Sequence, residues 1–399
     1  VPPWLLARLG IATGVALGIR VGAVLLVLYW AASLLLWGAA EWRRRGRPAL
    51  RDTGMLALRL VPPGLLAYGI MLAAWPWGQV DPLRNPLDAV RASAKFPFRV
   101  PVLFQGNTYL ATELPWYYMP KLLLLTIPEF VLLGLAIALV RAVLAGRSVA
   151  DLSRGASDVG VEGRRRVGTA DSSDAEAAHG AAGWHGYVLV ATAMLFPLAY
   201  ACATHATLYD GQRHFLFAMP LAGVLAATAY AWLAVQHRRA GLVLGALATI
   251  SAAYTAADMV RLHPYQSVYF NPLLAGGARG AEGRYDLDYW GASYREGAEW
   301  LARRFPAGST ARPLKVASCG AAASVTQFLP RRFEYVGTLM IPPLAAKPDV
   351  LLATPRFGCD RWLGGRVVHT IRREGAALVY VIEPAPSPPA PATAPPTAR

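Results

Sequence analysis

Asp210, Arg213 and His214 fall close together in the stretch YDGQRHFLFAMP, Tyr209 to Pro220, between apolar runs at 186–205 and 214–235. Each run is long enough to cross a bilayer. A carboxylate, a guanidinium and an imidazole at the mouth of an apolar helix are costly to place idly. The guanidinium carries a fork of N–H donors that suits a phosphate held near lipid. Two further cations lie at the ends of apolar runs: Arg20 between the first and second, and Lys121 at the start of the fourth, in LPWYYMPKLLLLTIPEF. Groups of this kind can hold a lipid-linked phosphate at the interface and stabilise it as it leaves. Arg20 and Lys121 serve equally well as snorkelling anchors, whereas Arg213 beside His214 favours a functional role.

Other polar and aromatic groups could complete such a site. Trp116, Tyr117 and Tyr118 precede Lys121 and read either as an interfacial aromatic belt or as a platform for a sugar or lipid head. Glycosyl transfer to a hydroxyl needs a carboxylate base within hydrogen-bond reach of the acceptor oxygen. Of Asp81, Asp88 and Glu113 in the loop 76–117, Glu113 is the best placed, although a solvated loop carboxylate explains it more simply. Glu129, beside Pro128 inside an apolar run, is expected to turn inward and find a partner. HPYQSVYFNPLLAGG (263–277) and RYDLDYWGASYREG (284–297) are dense in Tyr, Trp, Asn and Asp, which can pack on sugar rings or seat a domain on a membrane face. No zinc spacing, phosphate loop, dinucleotide fingerprint or nucleophile elbow is present, and no metal site is expected.

The elements that must position these groups follow from hydropathy. The 399 residues are 55% hydrophobic and only 16% charged, where a soluble chain would carry about a quarter charged residues; the mean hydropathy is +0.34. The fold class is a mostly α, polytopic membrane protein with about seven apolar helices, at 5–20, 22–42, 54–75, 118–144, 186–205, 214–235 and 240–259. Gly10, Gly14, Gly18 and Gly22 make a small-residue stripe that reads as a packing face. Pro62 and Pro63 predict a kink.

Basic residues in the short loops set the orientation. Segment 43–51 carries five Arg, 145–185 another five and 236–241 two, against four Lys/Arg in 76–117 and one in 206–213. The first set is expected on the cytoplasmic side, which puts the loop 76–117, residues 206–213 and everything beyond about 262 outside. The net charge of +15 is then largely a consequence of topology, and no nucleic-acid partner is expected.

The domain organisation expected is membrane helices over 1–144, a disordered cytoplasmic loop over 145–185, membrane helices over 186–261, a small extracytoplasmic α/β domain over 262–383 and a disordered Pro/Ala tail over 384–399. In the α/β domain, 291–305 has helical spacing, 321–329 fits a helix, and LKVAS, DVLLAT, RVVHTI and ALVYVIE read as strands. Cys319 and Cys359 both fall in this domain; a bridge between them is open, since spacing cannot show whether their Cα atoms approach. The chain begins Val1-Pro2-Pro3 with no visible leader, and reads as the C-terminal portion of a longer protein.

Taken in order, these motifs resemble a known group. R-H-F-L-F-x-x-P at Arg213–Pro220 is similar to the Arg-aromatic-Leu-x-x-Pro signature in late membrane helices of GT-C glycosyltransferases. G-V-A-L-G-I-R-V-G at Gly14–Gly22, L-P-W-Y-Y-M-P at Leu114–Pro120, H-P-Y-Q-S-V-Y-F-N at His263–Asn271 and L-D-Y-W-G-A-S-Y-R-E at Leu287–Glu296 resemble segments of bacterial family-39 members, which are related to protein O-mannosyltransferases and aminoarabinose transferases. The resemblance covers about 1–305 without the loop 145–185. It implies many membrane helices, an active face outside a bacterial plasma membrane, a polyprenyl-phosphate-linked sugar as donor, no further cofactor, and inversion at the anomeric carbon. The acceptor would be a protein, lipid or glycan. Arg213 and Arg20 would lie near the donor phosphate, with His214, Asp210, Tyr209, Lys121, Tyr117 and Tyr118 around it. The family's catalytic carboxylate belongs to a loop after the first membrane helix that has no counterpart here, so this portion alone is expected to be inactive. A transporter or flippase, and a non-catalytic membrane scaffold with an external recognition domain, are the competing classes; the absence of an internal repeat argues against the transporter.

Overall fold

The computed structural model describes residues 2–94, 98–158, 170–339, 346–361 and 364–385. The chain is mostly helical, and it divides into two compact units. One comprises Val1–Phe98, Leu133–Thr207 and Phe215–Leu242; the other comprises Arg99–Leu132, Leu208–His214 and Val243–Arg399.

Among the described residues five helices are long and apolar enough to cross a membrane: Val21–Arg45, Pro48–Ala73, Gly186–Thr204, Ala218–Gln236 and Arg238–Leu262. This marks an integral membrane protein. Two of the seven expected spans differ. The first is a helix of 17 residues, Pro3–Ile19, ended where Arg20 turns extended (φ −152°). At 1.5 Å per residue it reaches about 25 Å, short of the roughly 30 Å hydrocarbon core. The fourth is two helices, Tyr118–Thr126 and Glu129–Asp158, which together pass as one broken span or a re-entrant loop. The break has a local cause: Pro128 lacks an N–H and pushes Ile127 out of the helical region, to ψ 132°.

In the first unit the glycine stripe is a packing face. A Cβ on Gly10 would lie 2.8 Å from the Pro63 carbonyl oxygen, and one on Gly14 2.7 Å from that of Ala67. The helix Pro48–Ala73 continues through Pro62 and Pro63. The Tyr29 hydroxyl donates to the Ala193 carbonyl at 3.0 Å, tying the second helix to the helix Ala170–Thr204. Helical backbone enters the loop 145–185 from both sides, to Asp158 and from Ala170; the rest of that expected disordered segment lies outside the described residues. So does the tail from 386 onward.

In the second unit the loop expected over 76–117 contributes a hairpin, β1 (Pro101–Phe104) and β2 (Asn107–Leu110). Its turn residues Gln105 and Gly106 both have positive φ, 56° and 82°, the backbone a two-residue hairpin needs to match the strand twist. The other helices of that loop, Pro76–Val80 and Arg84–Ala94, belong to the first unit. Residues 314–384 form a five-stranded mixed sheet of β3 (Leu314–Ser318), β4 (Phe333–Thr338), β5 (Val350–Ala353), β6 (Gly365–Arg373) and β7 (Ala376–Pro384), in the order β4-β3-β5-β7-β6. β3, β4 and β5 are parallel; β7 and β6 close the sheet as an antiparallel hairpin. Four of these strands match the expected ones. β4 is additional: its pattern FEYVGT carries Glu334 and Gly337 and hides the period. One sheet face packs Val316, Val350, Leu352 and Val379 against Tyr294 and Leu301 of the helix Tyr294–Arg304. The other buries Ala317, Val336, Leu351, Ala353 and Ile382 with Cys319 and Cys359. Those two cysteines are bonded, with Cα atoms 6.2 Å apart.

The broken helix is patched from afar. Asn271, fully buried, donates its amide to the carbonyls of Leu124 (2.7 Å) and Ile127 (3.0 Å), while its backbone N–H donates to Leu125 at 2.8 Å. The Leu124 carbonyl is the one Pro128 cannot serve. Glu129 accepts from the Leu273 N–H at 3.1 Å, which gives it the partner expected of it.

Two measurements check these roles. Replacing Asn271 by Leu leaves two enclosed carbonyls without donors and should cost roughly 2–5 kcal/mol, read as a lowered thermal midpoint in detergent. Gly14→Val should lower the midpoint by an overpacking cost of about 1–3 kcal/mol, whereas Gly69→Ala, with open space around it, should leave it unchanged or raise it.

Candidate functional site

Leu208–His214 reverses sharply because two successive residues, Asp210 and Gly211, adopt positive φ (56° and 67°). Gly211 has a second constraint: a Cβ there would meet the Tyr289 ring at 3.1 Å. The reversal turns the Asp210 carboxylate back onto Arg213, 3.2 Å away. The Arg213 guanidinium lies 4.6 Å over the Tyr209 ring and 5.1 Å over that of Trp290, and Tyr209 meets the His214 ring edge-on at 4.9 Å. Arg213 is thus held by one carboxylate and two aromatic faces, a geometry worth more when partly desolvated. Its Nε is buried without a hydrogen-bond partner among the described residues, and its side chain is 23% exposed.

Beneath this segment lies a second arginine that sequence reasoning did not single out. Arg356 donates to Asp210 Oδ1 at 2.6 Å and to the Tyr289 carbonyl at 2.7 Å, and its Nε sits 3.7 Å from Asp286 Oδ1. Both Arg356 and Asp286 are almost wholly buried. Asp286 also accepts from the Leu103 N–H at 3.2 Å, which docks hairpin β1–β2 onto the segment 284–286. Gly106 N–H to the Arg284 carbonyl (3.0 Å) and a bridge between Phe104 and Tyr285 complete that docking. Burial drives the Asp286 carboxyl up to about 6, against the opposing pull of Arg356 and the Leu103 N–H. Next along the chain, Asp288 accepts from Ala292 N–H (3.0 Å), Ser293 N–H (2.7 Å) and the Ser293 hydroxyl, and so fixes the start of the helix Tyr294–Arg304.

The sequence-predicted residues divide accordingly. Tyr209, Asp210, Arg213 and His214 share one cluster. Tyr118 joins it: the side chain is buried, packs at 5.0 Å on Phe104, and lies near the charges of Asp210, Asp286 and Arg356 and the Gly211 backbone. Tyr117 touches Phe104 at 5.8 Å on the far side, leaving Trp116 exposed. Lys121 is half-buried on the same helix, and its side chain makes no ion pair among the described residues. Glu113 is exposed in the turn after β2, without an ion pair to the cluster. Arg20 belongs to the other unit, where it borders an apolar cavity of about 390 Å³ lined by Leu17, Val24, Tyr68, Met71, Trp75 and Leu87.

The two aromatic motifs prove largely structural. Tyr265 donates to Glu296 at 3.0 Å, and Glu296 pairs with Arg373, whose guanidinium covers the Tyr265 ring at 4.8 Å. Together these pin HPYQSVYFN to the helix and to β6. Burial, and then the hydrogen bond to Glu296, raise the Tyr265 hydroxyl far above its usual range. Only Trp290, 57% exposed above Arg213, keeps an aromatic face open. Arg356 carried no strong signal in sequence; its neighbourhood TPRFGCD, with Cys359 three residues on, was the available hint.

No protein-family model, curated protein or solved structure matches the chain.

The pH dependence of this cluster follows from Asp286. Its folded pKa lies above the unfolded value near 4, so the folded state binds the proton more tightly. The stability this contributes is full below about pH 4 and is lost as pH rises through 6. Two pKa units correspond to about 3 kcal/mol. Unfolding followed between pH 4 and 7 should show this decline, and Asp286→Asn should flatten it.

Proposed function

We propose that this protein is a membrane glycosyltransferase, of the GT-C type and similar to bacterial family 39, that moves a sugar from a polyprenyl-phosphate donor to an acceptor outside the membrane, with inversion. The observation that carries the reading is Arg213: a partly exposed guanidinium, oriented by Asp210 and sandwiched by Tyr209 and Trp290. Asp210 engages one terminal nitrogen and Nε is buried, so the other terminal nitrogen is the part of the fork left to meet an anion. Because the aromatic faces and the carboxylate already fix the group, little rotamer freedom remains to be lost when a phosphate binds. The same fixed charge would stabilise the lipid phosphate as the glycosidic bond breaks.

His214 and Tyr209 border this cation and are the nearest groups able to meet a sugar hydroxyl or a phosphate oxygen. Trp290 offers an apolar face for a sugar ring. Arg356 and Asp286 lie too deep to touch a donor; they hold the segment that does. Neither carboxylate of this cluster suits the base that accepts the acceptor's proton: Asp210 and Asp286 are both committed to arginines. Arg20, beside its apolar cavity, suits the same donor by chemistry, a cation next to room for a lipid chain.

Proteoliposomes containing the full-length protein and a polyprenyl-phosphate sugar test the reading. Arg213→Ala should lower the rate of sugar transfer by about 100-fold or more with the fold retained, and Arg213→Lys should recover only part of it. Unchanged donor-dependent turnover in Arg213→Ala would rule this role out, and would favour a scaffold.

A further inference from the structure

We propose that the Cys319–Cys359 disulfide is the strut that positions Arg356, so that the Asp210–Arg213 segment takes its arrangement only once the bridge has formed. Arg356 opens the short 3-10 segment Arg356–Arg361, and Cys359 lies three residues on, within it. This segment leaves the sheet after β5 and returns only at β6. Among the described residues, its backbone bond outside its own 3-10 turns is a local one, Gly358 N–H to the Pro355 carbonyl. An arginine side chain has many rotamers, and it bridges fixed partners only if its own backbone is fixed.

The far end of the bridge is anchored firmly. The Cys319 N–H faces the Leu352 carbonyl and the Tyr294 hydroxyl, each at 3.2 Å, and the Tyr294 hydroxyl donates to the Cys319 carbonyl at 2.8 Å. Tyr294 is wholly buried and opens the helix that Asp288 caps through Ser293. The Tyr289 carbonyl, the neighbour of Asp288, accepts from Arg356. The contacts therefore close a ring: Cys319, Cys359, Arg356, Tyr289, Asp288, Ser293, Tyr294 and back to Cys319. Asp210 hangs on this ring by its bond to Arg356, and Arg213 hangs on Asp210. The bridge joins residues 40 apart and is the covalent cross-link of the ring. Forming it removes two electrons and two protons from the thiols; a protein disulfide donor accepts them and leaves as a dithiol.

The strut deepens the lipid-phosphate reading of this site. Its readout is backbone exchange rather than sugar transfer, so a chain with intact coupling and no transferase activity would sink that reading alone. Amide hydrogen exchange is compared on the full-length protein in detergent, oxidised and after reduction with a water-soluble phosphine, and on Cys319→Ser/Cys359→Ser. Peptides over 208–214 and 286–291 should exchange about 10-fold faster or more without the bridge, while β7 is unchanged. Arg356→Ala in the oxidised protein should reproduce the effect at 208–214, and reducing that variant should add nothing there. Arg356→Lys should recover part of the protection. Unchanged exchange at 208–214 after reduction overturns the proposal. So does faster exchange of β7 to the same degree, which would make the bridge a general stabiliser, and so does an Arg356→Ala variant that leaves 208–214 protected.

Discussion

One guanidinium joins three stretches of chain that are far apart in sequence. Arg356 bonds Asp210 and the Tyr289 carbonyl and faces Asp286, which in turn receives the hairpin β1–β2 through Leu103. Charges this deep are tolerated only in balanced company, because removing one partner of a buried pair leaves the other uncompensated. Two arginines and two carboxylates supply that balance. The sharp turn at Asp210 and Gly211, the docked hairpin and the orientation of Arg213 are linked through these charges. Arg213 sits at the edge of this cluster and is tied to the buried Arg356 through Asp210.

A tension runs through that design. The environment that fixes Arg213 also opposes ionisation of Asp286, whose carboxyl rises to about 6 through burial. A carboxylate placed so carries a standing cost at neutral pH. Such a cost is characteristic of sites where geometry has been favoured over stability. Asp286 belongs to the supporting layer of the cluster, behind Arg356.

Much of the fold was legible from residue patterns, because apolar runs and alternation report burial directly. The five long apolar helices, the helix Tyr294–Arg304 and strands β3, β5, β6 and β7 fall where hydropathy and periodicity put them. Hydropathy counts residues but not local breaks: the first apolar run is a helix of 17 residues, and the run over 118–144 is broken at Pro128, because averaging passes over a single proline. For the site, the grouping of Tyr209, Asp210, Arg213 and His214 was legible because those residues are neighbours in the chain. Arg356 and Asp286 were not, since their importance comes from burial and from partners 67 to 183 residues away, which no local pattern records. The dense aromatic motifs left two roles open, meeting a sugar or seating a domain; Tyr265 and Asn271 spend their polar atoms on partners inside the protein.

Asn271 has a consequence for the order in which the protein is made. The carbonyls of Leu124 and Ile127 receive their donors from a side chain 147 and 144 residues later. During synthesis those residues emerge before the side chain that serves them among the described residues exists. The gap at Pro128 must therefore stay open, or be served by water, until the last long apolar helix, Arg238–Leu262, is complete and the chain beyond it has turned back. Sealing of the broken helix therefore waits until Asn271 has been made and has reached it.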